Sequence, residues 1–356
     1  MTTLVFPSST PESHRYLQEA VNRGEPVVAA SSVKASLDID GLTDHALPLI
    51  NQDGFDEALI ALVKANGVKR VFSPSAVVYV HLRKLIEREN LPLQFVQLPP
   101  IYQEMERQTD EAAAARLDIE YASQFLNGGD FLTAPQLQAL LRAAFGIYGE
   151  SYRHKLVALA ACAFTAPAGD YVEIGCLYGR SCSVIVQALK MAGRSDAVLA
   201  IDAWASDVAH QTSLSDDLAD EWLSRDLTPI ADAFDANLMP LATRGQFNRL
   251  RLPSAEARPQ YGPKAVISTD AFGPTQYTGQ IGFLHIDANH DYEAVKADRD
   301  LWCPLVKPGG WIVFDDYNWR HGAGPGQAAD EFCAARQDDI ERCVFLDGAL
   351  FIKLAA

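Results

Sequence analysis

The stretch DYVEIGCLYGRSCSVIVQALKMAG, residues 170–193, carries the decision about the fold. Its first five residues are an apolar run of strand length that ends at Gly175, and SCSVIVQALKMAG reads as a helix. Between them the loop is Glu173-x-Gly175-x-x-x-Gly179-Arg180-Ser181. Glycines at these two places let a backbone come close to a ligand, and the helix start beyond them presents unpaired N–H groups. Tight strand-to-helix turns also use glycine for steric reasons alone, so the loop needs its surroundings to be read.

Those surroundings continue the strand and helix alternation. AVLAID is a second strand ending in Asp202, where a carboxylate can accept the hydroxyls of a ribose, as acids do at the equivalent place in dinucleotide-binding sheets. The loop is not G-x-G-x-x-G, however, and Glu173 on the strand disfavours a pyrophosphate. A cationic or zwitterionic ligand that makes ribose and amine contacts fits better, which describes S-adenosylmethionine. FNRLRL, IGFLHID and GWIVFDD follow as strands, with YEAVKADRDLWCPLV and GQAADEFCAARQ as helices. The chain closes on CVFLDGALFIKL, two β-rich runs around Asp347-Gly348, a dipeptide suited to a tight antiparallel hairpin. An antiparallel last strand distinguishes methyltransferase sheets from all-parallel dinucleotide-binding ones.

Residues 1–103 read as a smaller α/β domain: TLVFPSS, PVVAASS, KRVFSPS and LQFVQLP are strands, and PESHRYLQEAVNRG, FDEALIALVKANG and VVYVHLRKLIEREN are helices. Serines 8, 9, 31, 32, 73 and 75 fall in the turns after three of these strands, where they can cap helices or meet a phosphate-bearing ligand. Residues 104–163 are helical and form a connector or cap, and the third domain is 164–356. Thirty basic against 46 acidic residues give a net charge of −16, which argues against a nucleic-acid partner. No apolar stretch is long enough for a bilayer, and the first residues lack the pattern of a secretory signal, so a cytoplasmic protein is expected. The six cysteines show no metal or redox spacing and read as reduced, mostly core residues.

Residues 170–356 resemble class I S-adenosylmethionine-dependent methyltransferases. In particular, HIDANHDYEAVKADRDLWCPLVKPGGWIVFDDYNW and the PGQAADEF that follows resemble the branch of metal-dependent small-molecule O-methyltransferases, such as those acting on antibiotic sugars, and the cephalosporin hydroxylase-like proteins. The resemblance implies a Rossmann-like sheet closed by an antiparallel hairpin, and cofactor contacts at Glu173, Gly175, Gly179, Ser181 and Asp202. It also implies a divalent ion, Mg²⁺ or similar, at Asp287, Asp315 and Asp316, with catalysis by Asp287 and by His290 as general base. In such a sheet the strands ending in Asp287 and in Asp315-Asp316 are neighbours, so their carboxylates converge and call for a hard cation. The acceptor is then a small hydroxylated molecule, and a homo-oligomer is compatible with the sequence. A hydroxylase-like or hydrolytic enzyme on the same fold, or a non-catalytic S-adenosylmethionine-binding module, are the competing expectations.

Several polar residues nearby have plainer roles. Asp291 is expected to cap the helix that follows it, Asp298 and Asp300 to be solvated, and His321 to be a surface loop residue. Tyr292 and Trp302 read as packing residues. The acidic segment 203–243, with DDLADEW and DAFDANLMPL, is expected to form a lid over the cofactor side or a dimer contact.

Overall fold

The computed structural model describes residues 1–33, 39–126, 128–212 and 225–356. The chain divides into two compact units, Met1–Glu111 and Ala112–Ala356. In the first unit, strands β1 (Thr2–Val5), β2 (Val27–Ser31), β3 (Asp44–Ala46), β4 (Val68–Phe72) and β5 (Gln94–Phe95) form one parallel sheet in the order β3-β2-β1-β4-β5. Helices α1 (Pro11–Asn22), α2 (Phe55–Ala65) and α3 (Ala76–Arg88) connect them. Strand β3 was not legible in the sequence because three residues of mixed polarity carry no period. Three serines in two of the serine turns are occupied internally: the Ser8 hydroxyl donates to Asp44, that of Ser31 to the Val33 carbonyl and that of Ser32 to the Pro48 carbonyl.

The boundary between units falls within α4 (Pro100–Ala122). In the second unit, α5 (Ala134–Phe145) and α6 (Arg153–Thr165) precede a seven-stranded sheet. Its strands are β6 (Asp170–Ile174), β7 (Val198–Ile201), β8 (Phe247–Leu250), β11 (Ile281–Ile286), β12 (Val306–Phe314), β13 (Ile340–Leu346) and β14 (Ala349–Leu354), ordered β13-β14-β12-β11-β6-β7-β8. All neighbours are parallel except the β12–β14 and β13–β14 pairs. The hairpin turns at Asp347 and Gly348, both with positive φ, 44° and 87°, as the Asp-Gly dipeptide predicts. The unfamiliar stretch before β11 supplies a separate antiparallel pair, β9 (Val266–Thr269) and β10 (Gly273–Gln276).

The sheet is buried on both faces, as a mostly parallel sheet must be. Tyr171, Phe283, Trp311, Val313 and Phe351 project to one side, against α5, α6 and α7 (Arg180–Met191). Val172, Ile174, Leu284, Ile286, Ile312 and Phe314 project to the other, among residues of α9 (Tyr292–Trp302) and α10 (Gly324–Ala335). Between β7 and β8 lies α8 (Thr228–Leu238). DAFDANL falls in that helix, whereas DDLADEW lies outside the described residues. Every residue of α6 from Lys155 to Ala163 is buried, mostly small apolar side chains that let the helix sit close to the sheet, and Lys155 is the one charge among them.

Candidate active site

Side chains alternate across a strand, so residues two apart share a face. Along β6 that places Glu173 with Tyr171, along β11 His285 with Phe283, and at the end of β12 Asp315 with Val313. His285 lies directly opposite Glu173 in the β6–β11 register. The result is a row of ionisable groups beneath α6. Lys155 Nζ donates to Asp315 Oδ2 at 2.7 Å, His285 Nε2 lies 3.2 Å from that same oxygen, and His285 Nδ1 lies 2.8 Å from Glu173 Oε1. All four residues are buried.

Charges this deep require partners, because removing each ion from water costs several kcal/mol. Burial alone would lower the pKa of His285, but its bonds to Asp315 and Glu173 outweigh that and push it up to about 10. Burial would likewise raise Asp315, yet the charge of Lys155 and the bond to His285 hold it well below the usual carboxylate range. Two carboxylates and two cations therefore alternate as Glu173⁻, His285⁺, Asp315⁻, Lys155⁺. Neither His285 nor Lys155 stood out in the sequence as a site residue. The signal for His285 was present: an imidazole two residues before the end of an otherwise apolar strand, opposite an acid placed the same way.

This row changes the reading of two expected site residues. Glu173 has no exposed surface, and its Oε1 bonds to His285 while Oε2 has no hydrogen-bond partner among the described residues. Asp315 is committed as well: Oδ2 takes Lys155 and His285, and Oδ1 accepts the backbone N–H of Asp316 at 2.9 Å.

Outside the row, the other expected residues gather in two places. Asp287, His290 and Asp316 offer ligand atoms that all lie within 4.8 Å of one another, and all three are half-buried at the carboxyl edge of the sheet. Backbone bonds fix this edge, from Asp287 N to the Ile174 carbonyl and from Asp315 N to the Ile286 carbonyl. Asp316 adopts a positive φ of 49°, which turns it out of strand alternation. His290 Nε2 sits 3.0 Å from Asp316 Oδ2 without a hydrogen-bonding geometry, and it is a buried nitrogen with no hydrogen-bond partner among the described residues. Its Nδ1 faces Gln211 Oε1 at 3.1 Å, and its ring packs 4.5 Å from Trp319. Burial and the neighbouring Asp315 charge raise the pKa of Asp287 well above the ordinary range, despite Lys155 and His285.

An unpartnered nitrogen facing a carboxylate, next to a second acid whose pKa is pushed up by burial and by the Asp315 charge, fits a divalent ion. The pair Asp287 and Asp316 supplies the hard oxygen ligands, and Mg²⁺ commonly takes only one or two carboxylates, completing its shell with water and substrate oxygens. The structure brings Asp316 and His290 to Asp287, and it also places Asp315 and His285 with ligand atoms within 4.8 Å of Asp287, with Asp315 bonded to Lys155 as well.

The second place is the loop after β6. Asp202 Oδ2 accepts the backbone N–H groups of Cys176 and Leu177 at 2.8 and 3.0 Å, and Oδ1 that of Trp204 at 2.8 Å. Burial lifts the Asp202 pKa even though these three bonds pull it down. A carboxylate has about four acceptor positions, so three N–H bonds leave room for one further donor, such as a single ribose hydroxyl. Gly175 and Gly179 have φ of +83° and +90°. A Cβ on Gly175 would collide with the Asp287 carbonyl, and one on Gly179 with Leu238 and Phe234 of α8. Their immediate role is close packing. Ser181 is buried in the first turn of α7.

The segment after β7 crosses this edge. Asn289 donates to the His210 carbonyl at 2.7 Å, and Asp291 accepts from both the backbone and the hydroxyl of Thr212. Asp291 does occupy the N-cap position of α9, but its carboxylate serves Thr212 instead of the helix. Asp298 is not solvated as expected. It is buried, takes the Ser254 hydroxyl, and burial pushes its pKa up to about 6. Asp300 and His321 are exposed, and Trp302 is fully buried. Of the cysteines, Cys162, Cys176, Cys182 and Cys303 are buried and all six are free thiols.

Residues 172–317 match a family model described as a methyltransferase domain. No curated protein sequence matches the chain. Among solved structures, the O-methyltransferase NovP is 17% identical, with a TM-score of 0.46, 63% of this chain covered and 99% of that one. The calicheamicin methyltransferase CalS11 is 14% identical, with a TM-score of 0.41 and coverage of 64% and 97%. The O-methyltransferase TomG from Streptomyces achromogenes, solved with S-adenosylmethionine, is 13% identical, with a TM-score of 0.41 and coverage of 68% and 96%. Counted along the chain, the strands of the large sheet run 3-2-1-4-5-7-6, so the second unit has the fold of a class I methyltransferase, and residues 172–317 within it match the methyltransferase-domain model.

Proposed function

We propose that the protein transfers a methyl group from S-adenosylmethionine to a hydroxyl of a small molecule, a sugar or a sugar-bearing natural product, with the help of a divalent ion. The observation that carries this reading is the buried, unpartnered Nε2 of His290 beside Asp287 and Asp316. Gln211 Oε1 can only accept, so it holds the proton on Nδ1 and leaves the lone pair on Nε2. Nε2 is then ready to take the acceptor's proton, and Asp316 Oδ2 at 3.0 Å stabilises the imidazolium that results. Asp287 and Asp316 would hold the ion, which supplies Lewis acidity that makes a bound hydroxyl easier to ionise. The cofactor supplies an electrophilic methyl group on a sulfonium. Asp202, by fixing Cys176, Leu177 and Trp204, keeps the loop that would receive it in shape.

The net charge of −16 supports a small-molecule acceptor over nucleic acid. No helix among the described residues is long and apolar enough to cross a membrane. Six free thiols support a reducing, cytoplasmic setting.

The test is to incubate the protein with S-adenosylmethionine, Mg²⁺ and a panel of hydroxylated acceptors, and to read product masses. The expected outcome is a product heavier by one CH₂ and lost when EDTA is added. Full turnover in EDTA on a verified acceptor would remove the metal. A product heavier by one oxygen, or a hydrolysed one, would replace methyl transfer with hydroxylase-like or hydrolytic chemistry. Tight cofactor binding with no product from any acceptor would favour a binding module.

A further inference from the structure

The three acids expected to surround an ion already have a cation among them. Lys155 reaches down from α6, is 7% exposed, and its ammonium lies 2.7 Å from Asp315 Oδ2. On the other side of that oxygen stands His285, itself anchored by Glu173. Asp315, His285 and Asp287 offer ligand atoms within 4.8 Å of one another, but with Oδ1 accepting the Asp316 N–H, Asp315 already has two cationic partners and one backbone partner, and giving its carboxylate to a second ion would weaken the hold on Lys155 in the interior. Resting on the methyltransferase reading above, we propose that Lys155 is the resident cation of the acid cluster: it holds Asp315 with His285 as a positioning residue, and so restricts a divalent ion to Asp287 and Asp316.

The charges support this division. Glu173, His285, Asp315 and Lys155 are bonded in one row, two acids alternating with two bases, which leaves Asp287 and Asp316 as the pair of carboxylates that could face a divalent ion. A lysine at this place also sets the affinity. Its fixed positive charge opposes a second cation nearby and withholds a third carboxylate from it, which favours a weakly held, water-rich ion open to an acceptor oxygen. Asp315 still matters to the site, because its backbone continues directly into Asp316 and its carboxylate pins the turn that aims Asp316 outward.

Mn²⁺ is a spectroscopic stand-in for Mg²⁺, and its binding to the full-length protein can be followed by the loss of the free-ion paramagnetic resonance signal. The expected result is that D287N and D316N each weaken Mn²⁺ at least tenfold. The double variant K155M/D315N, which removes both members of the buried pair and leaves no orphaned charge between them, should stay within threefold of wild type. K155M alone should bind Mn²⁺ at least tenfold more tightly, because Asp315 is freed and a positive charge is gone. A gain of affinity is a result that mere structural damage would not give. If K155M/D315N loses Mn²⁺ as severely as D316N, or if K155M leaves the affinity unchanged, Asp315 is an ordinary ligand or Lys155 a bystander, and the proposal is overturned. Absence of Mn²⁺ binding in wild type and K155M alike also overturns it. S-adenosylhomocysteine binding, measured by calorimetry on the same samples, reports separately on the methyltransferase reading.

Discussion

Replacing His285 by glutamine should change how stability depends on pH, and the size of the change follows from the row Glu173, His285, Asp315. The imidazole has a folded-state pKa of about 10 against an ordinary 6.5, so folding takes up a proton on this ring over that window. A raised pKa stabilises in full below pH 6.5, and the contribution disappears as pH climbs through 10. Linkage puts the contribution at roughly 4 kcal/mol at pH 7 and roughly 1 kcal/mol at pH 9, a loss of roughly 2 to 3 kcal/mol over two pH units. Glutamine keeps the polarity and bulk of the side chain but cannot carry the charge. Urea unfolding of wild type and His285→Gln at pH 7 and pH 9 reads the effect as a difference of differences, which cancels groups elsewhere. The wild-type advantage should shrink by roughly 2 to 3 kcal/mol. Because the variant leaves Glu173 and Asp315 without their cation and can fold poorly, nitrogen-15 histidine spectra of the wild type provide a second reading, with His285 still an imidazolium at pH 8. A stability gap constant to within about 0.5 kcal/mol, together with a neutral imidazole at pH 8, would refute the alternating row of charges.

Three further outcomes follow. Asp202→Asn removes one carboxylate oxygen from a group that holds three loop N–H bonds, and at about 1–3 kcal/mol for buried donors left unpaired it should weaken S-adenosylhomocysteine binding by roughly ten- to a hundredfold; calorimetry showing unchanged affinity would contradict the anchoring role. Gly175→Ala should destabilise far more than Gly193→Ala. Both have positive φ, but only the first would drive a Cβ into the Asp287 carbonyl, so thermal unfolding should show roughly 1 kcal/mol for Gly193 and several times that for Gly175. Divalent-ion binding should release protons increasingly as pH falls, because burial and the Asp315 charge raise the pKa of Asp287 and a bound cation would lower it; binding heats that do not vary with the ionisation enthalpy of the buffer at any pH would count against this.

The sequence showed the large sheet because its signals are local. Each strand is a short apolar run, the glycines at 175 and 179 mark a tight turn, and Asp347-Gly348 specifies the hairpin that makes the last strand antiparallel. The acids at strand ends were legible for the same reason: Asp287, Asp315 and Asp316 each interrupt an apolar run where a buried strand leaves the core. What those acids bind is a matter of register and of a helix far away in the chain. Asp315 and Asp316 look equivalent in sequence, but the first residue past β12 still follows the strand's alternation and the second does not, so Asp315 keeps the face shared by Val313 and His285 and Asp316, at a φ of 49°, leaves it.

Lys155 was hidden more deeply. It is 160 residues from Asp315 and sits in a helix whose composition predicts only close packing. A lysine among alanines in an amphipathic stretch ordinarily marks the solvent side, and α6 has no solvent side along Lys155–Ala163. That fact has a physical consequence for the whole edge. An apolar residue at 155 would have left Asp315 with His285 as its one cationic partner among the described residues. Under the proposal above, a covalently attached cation there separates two tasks that the sequence presents as one: Asp315 would keep the edge rigid, and Asp316, which faces His290, would take the exchangeable partner.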